Sequence, residues 1–103
     1  MVLNTIVKDD IRKCLFKSSN IKGSEYNLKN GDLTITFNND TQYIYSMVAE
    51  QDYIHFEGAS SQGKILNSKI KSNYKVVRVD FPVPLDEDLF KDSINLNNED
   101  NDK

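Results

Sequence analysis

The sequence predicts an α+β domain, a small antiparallel sheet of three to four strands with two short helices packed on one face. Three observations carry this expectation. Leu33, Ile35 and Phe37 alternate with Asp32, Thr34, Thr36 and Asn38, the period of two expected of a strand with one polar face. Asn39-Asp40 supplies a tight turn, since both residue types tolerate left-handed backbone, and leads into residues 41–46. There Tyr43 and Tyr45 share one face and Ile44 takes the other, as in a central or helix-covered strand. From Ala49 the period becomes helical, with Ala49, Tyr53 and Phe56 on one side and Glu50, Gln51, Asp52 and Glu57 opposite or flanking.

The remaining elements follow in order. Residues 1–15 read as an N-terminal arm with a short amphipathic helix, because Val7, Ile11 and Leu15 recur every fourth residue. Asp9 and Asp10 near its start and Arg12, Lys13 and Lys17 near its end suit the helix dipole. Cys14, set among apolar neighbours, reads as a small buried hydrophobe rather than a reactive thiol, which needs exposure and a cationic setting. Residues 21–28 form a first strand, with Gly23 marking a bulge or an edge. Asn30-Gly31 is a hairpin signal of the kind that demands positive φ at both central positions. Ser60 or Ser61 caps a second helix over residues 62–72, with Leu66, Ile70 and Tyr74 along its stripe. Residues 75–80 make a fourth strand that Pro82 and Pro84 end. The domain proper spans residues 16–80, and residues 81–103 read as an acidic, largely disordered tail.

With 103 residues the chain holds one domain, and one cysteine excludes an intrachain disulfide framework. No apolar run approaches the roughly 18 residues that cross a bilayer, and the first ten residues lack a signal-peptide pattern, so the expectation is a cytoplasmic protein with no membrane partner. The net charge of −3 conceals a split. Residues 1–85 carry 11 Lys/Arg against 9 Asp/Glu, whereas residues 86–103 carry 2 against 7. The acidity thus belongs to the tail, and the folded part is slightly basic.

Phe16-Lys17-Ser18-Ser19-Asn20-Ile21, Tyr26, Leu33 to Phe37, the Tyr43-Ile44-Tyr45 triplet, Ala59-Ser60-Ser61-Gln62-Gly63-Lys64, Leu66-Asn67, Ile70 and Tyr74 follow one another at spacings that resemble the KTSC domain. This short family is named after the C-terminal region of some lysyl-tRNA synthetases. The resemblance covers about residues 16–78 and departs at Asp40, where the family has glycine, and at Ala49, where it has proline. It implies a small stand-alone bacterial or phage protein, and RNA binding is the activity proposed for such proteins.

Four candidate surfaces follow. Lys64, Lys69, Lys71, Lys75 and Arg78 form a run with no intervening acid, the pattern of a phosphate-contacting face, against which stands an ordinary solvated helix. Tyr43 and Tyr45 would stack unpaired bases, or else pack beneath a helix. Ser61, at the start of the second helix, would contact a phosphate or simply cap the backbone. In the tail, Leu89 and Phe90 flanked by Asp86, Glu87 and Asp88 suit a docking segment. The single histidine, His55, has no partner at ligand or nucleophile spacing, and no phosphate-loop pattern occurs. The expectation is therefore a non-catalytic module with no cofactor, no metal and no small-molecule substrate. It binds RNA or another nucleic acid through the basic face. Alternatively it binds a protein of the transcription, translation or replication machinery, such as a polymerase, using the acidic tail.

Overall fold

One antiparallel sheet of six strands, laid down in sequence order, runs through the computed structural model of this protein, which describes residues 1–83. The strands are β1 (Val2–Lys8), β2 (Ile11–Phe16), β3 (Ile21–Asn27), β4 (Leu33–Phe37), β5 (Gln42–Tyr45) and β6 (Val76–Arg78). Between β5 and β6 lie α1 (Glu50–Glu57) and α2 (Gln62–Ile65), and α2 continues into a π-helical turn at Leu66–Ile70. The α+β class and the two short helices agree with the sequence reading, but the sheet has six strands rather than three to four.

The difference arises chiefly at the N-terminus, where residues 1–15 form strands and not a helix. Asp9 and Asp10 both adopt positive φ, 54° and 64°, and close a hairpin between β1 and β2. Two adjacent acids that suit a helix start suit a left-handed turn equally well. The fourfold spacing of Val7, Ile11 and Leu15 also misleads, since Val7 pairs with Arg12 and Ile11 with Lys8 on opposite faces. What decides the matter is tertiary: in β2 alternate residues Cys14 and Phe16 enter the core.

The other turns are local chemistry. The β3–β4 hairpin forms as expected, but only Gly31 takes positive φ (82°), and Asn30 does not. The Asn27 side chain instead organises the loop, accepting from the N–H groups of Lys29 and Asn30 at 2.9 and 3.2 Å. Gly31 has no room for a side chain, because a Cβ there would sit 2.9 Å from the Val48 carbonyl oxygen. At the β4–β5 turn Asp40 holds φ 68° without glycine, and Asn39 Oδ1 accepts from the Thr41 N–H and hydroxyl.

The helices cover one sheet face. Phe56 meets Phe16 edge-on at 5.4 Å, and Tyr53 stacks on Tyr26 at 4.1 Å. Leu33, Ile35, Leu66 and Ile70 are buried with them. Ala49 offers no side-chain cap to α1. The Tyr74 hydroxyl substitutes by accepting from the Ala49 N–H at 3.1 Å and donating to Asp52 at 2.5 Å. Gln62, fully buried, joins the helices: its amide donates to the carbonyls of Phe56, Glu57 and Ala59, at and just past the end of α1. No helix among the described residues is long and apolar enough to cross a membrane.

Candidate functional site

Two clusters of polar side chains occupy opposite ends of the helix-covered face. The first joins β2 to α1. Glu57 Oε1 accepts from Arg12 Nε at 2.5 Å, from the Tyr53 hydroxyl at 2.7 Å and from the Cys14 thiol at 2.9 Å, while Arg12 Nη2 reaches Oε2 at 3.0 Å. Burial alone would raise the Glu57 carboxyl, but the bonds from Arg12, Cys14 and Tyr53 bring it below its ordinary value. Burial, reinforced by the bond to Glu57, raises the Cys14 thiol. The same burial raises the Tyr53 hydroxyl, and the Glu57 bond raises Arg12. A buried thiol kept protonated is no nucleophile. This cluster is closed and fastens the N-terminal hairpin to α1.

The second is an open groove of about 590 Å³ between β4–β5–β6, the loops at residues 18–20 and 38–41, and the helical segment from Gly63 to Lys71. Its aromatic floor comes from the alternation in β4 and β5. In the antiparallel register Ile35 faces Tyr43 and Leu33 faces Tyr45, so Phe37, Tyr43 and Tyr45 share one side. Phe37 meets Tyr43 edge-on at 5.7 Å. Tyr45 is only 3% exposed, and Leu66 closes the floor from the helix. Polar groups define the rim: Asn20, Asn67 and Lys71 line it, and the side-chain amides of Asn20 and Asn67 make no hydrogen bond among the described residues.

The sequence-derived candidates divide on this geometry. Tyr43, Tyr45 and Lys71 meet in the groove. Arg78 lies directly across the β5–β6 ladder from Tyr43, and exposed Lys75 precedes β6, its carbonyl accepting from the Ser46 N–H. Lys69 turns the other way, with Nζ 3.3 Å from His55 Nδ1 on α1. Lys64 is exposed but does not line the groove, and the Ser61 hydroxyl accepts from the Lys64 N–H as a helix cap. Asp86, Glu87, Asp88, Leu89 and Phe90 lie outside the described residues. Phe37, Asn20 and Asn67 were not among the candidates. Extending the β4–β5 register by one pair would have put Phe37 beside Tyr43, but nothing local links Asn20 to Asn67. No group of three or more His, Cys, Asp or Glu side chains converges among the described residues.

Comparison with known proteins places these elements in a family. The description of the KTSC domain matches residues 17–74, more than half of the chain. The match holds β3, β4, β5 and both helices, while the β1–β2 hairpin precedes it and β6 follows it. The crystal structure of a KTSC domain protein from Yersinia pestis superposes with a TM-score of 0.63 at 26% identity, covering 67% of this chain and 97% of that one. No curated protein matches the chain.

Proposed function

The chain belongs to the KTSC domain family, and from that fold and its groove we propose a non-catalytic module that binds RNA or another nucleic acid. The carrying observation is the coincidence, in one groove, of the Tyr43–Phe37 aromatic pair with Lys71 on the rim, while Arg78, outside the lining, lies directly across the β5–β6 ladder from Tyr43. Phosphates drawn to Lys71, Lys75 and Arg78 would release counterions, while the rings offer a surface for bases. The slightly basic balance of residues 1–85 supports modest rather than tight association.

The test is binding of a labelled single-stranded RNA across a salt series. Affinity should fall steeply as salt rises, and Lys71→Glu should weaken binding about tenfold at low salt, the order expected for a lost phosphate contact. Lys69→Glu, on the side facing His55, should change it little. Binding that ignores salt, or that responds equally to both substitutions, would remove this reading.

One observation favours a protein partner as the second reading. Val77, Phe81 and Val83 on and just after the edge strand β6 are 62%, 90% and 73% exposed. Such an edge suits strand addition by a protein of the nucleic-acid machinery, with residues 86–103 as a further contact. Truncation of residues 86–103 should strengthen RNA binding under the first reading and abolish partner capture under the second.

A further inference from the structure

We infer that the groove is a single-strand site that takes one unpaired base at its floor. The inference rests on the nucleic-acid reading above and narrows it. Its distinguishing observation is Tyr45. This residue is 97% removed from solvent yet its hydroxyl makes no hydrogen bond among the described residues. Among the described residues the only fully enclosed side-chain polar atom without a partner is Ser24 Oγ, so the Tyr45 hydroxyl keeps an opening, and the groove is where Tyr45 meets it. A bound acceptor that displaces solvent at this opening would give the largely buried phenol a fixed partner. Burial, and then the neighbouring Tyr43, raise its pKa, so it remains a neutral donor.

The rest of the groove matches a base rather than a phosphate. Tyr43 and Phe37 both line the groove and meet each other at 87°, ring surface against which a planar group would stack. Asn20 and Asn67 carry amides that both donate and accept, the capacity needed to meet the edge of a base. Among the described residues the sole cation lining the groove is Lys71, at the helical rim, where it would meet the phosphate of the same nucleotide. A volume of about 590 Å³, open to solvent, is ample for an unpaired base. A paired base inside a duplex cannot reach such a floor, because its edge is occupied and its faces are stacked. The selected ligand is therefore a strand with an unstacked base: a loop, a bulge or an end.

The experiment compares three labelled probes by fluorescence anisotropy at one low salt concentration: an oligouridylate, an abasic strand of the same length and charge, and a blunt RNA duplex. The oligouridylate should bind about tenfold tighter than either control, the effect of one stacked base. Tyr43→Ala should remove that difference. Tyr45→Phe should lower oligouridylate affinity about fivefold, as loss of one hydrogen bond does, with no effect on the abasic strand. Asn67→Ala, at an exposed position with no side-chain bonds to lose, serves as a second variant that keeps the fold. Equal, salt-sensitive binding of all three probes overturns the base pocket and leaves phosphate binding standing. If none of the three binds, the nucleic-acid reading falls with it.

Discussion

At the β2–β3 end of the helix-covered face, Tyr53 stacks on Tyr26, and its hydroxyl joins the Arg12 guanidinium and the Cys14 thiol in donating to one carboxylate. At the β4–β6 end, Tyr43 and Tyr45 share a similar apolar floor, yet neither hydroxyl has a hydrogen-bond partner among the described residues. The same residue type thus serves two ends of one sheet. Where α1 lies over the strands, polar atoms find protein partners and the surface closes. Where the chain runs from Gly63 to Lys71, Leu66 and Ile70 pack into the core, yet a groove stays open beside Phe37, Tyr43 and Tyr45. Closure around Glu57 stabilises the fold, and openness around Tyr45 leaves bonding capacity for something else.

Substitutions can break this contrast, and the largest effect belongs to the closed end. Phe56→Ala, at a fully buried ring against Phe16, should cost about 3–5 kcal/mol in urea unfolding, against about 1 kcal/mol for half-buried Tyr43→Ala. Equal costs would show that the groove is part of the core. Next comes Glu57→Gln, which leaves Arg12 without its ion pair. Because both side chains are partly exposed, the loss should be about 2 kcal/mol rather than that of a deeply buried pair.

The same pair sets a pH dependence. The Glu57 carboxyl titrates lower in the folded chain than in the unfolded one, so its stabilisation is full above about pH 4.3, the ordinary carboxyl value, and is lost as pH falls through the lower folded value. The Cys14 thiol titrates higher when folded, so its contribution is full below about pH 8.5 and is lost as pH rises beyond it. Glu57→Gln should flatten the acid limb of a melting-temperature profile. The smallest effect sharpens the comparison most. Tyr53→Phe should lose about 1–1.5 kcal/mol, since it removes a bond to a charged acceptor, whereas Tyr45→Phe should change stability by less than about 0.5 kcal/mol. Paired melts of the two variants would settle whether the Tyr45 hydroxyl has an intramolecular role.

Much of this was legible in the residues, and the failures have a common cause. The β4–β5 hairpin announced itself by alternation and by Asn39-Asp40, and Ser61 as a cap required only its place before a helical run. Such signals act over a few residues. The N-terminal hairpin was hidden because Asp9-Asp10 and a fourfold apolar spacing suit a helix as well as a strand pair, and the decision rests on Cys14 and Phe16 meeting a core made later in the chain. Arg12 and Glu57 are 45 positions apart, and no local pattern links them. Gln62 is buried because its amide donates to the carbonyls of Phe56, Glu57 and Ala59, a convergence no local pattern announces. Of the groove, the tyrosines and Lys71 could be named, but not the opening beside them.

The strand order carries a kinetic consequence. Because each strand pairs with its chain neighbour, four of the five ladders close over short turns, and only the β5–β6 ladder must span the helical segment. Short loops cost little entropy to close, so the four ladders of the β1–β5 meander are cheap to bring together. Docking of residues 50–70 and of the three-residue strand β6 closes the longest loop, so loop entropy predicts that this step is late. The wall that bears Lys71 and the strand that bears Arg78 are then the final pieces in place, and the groove does not exist until the chain has finished folding.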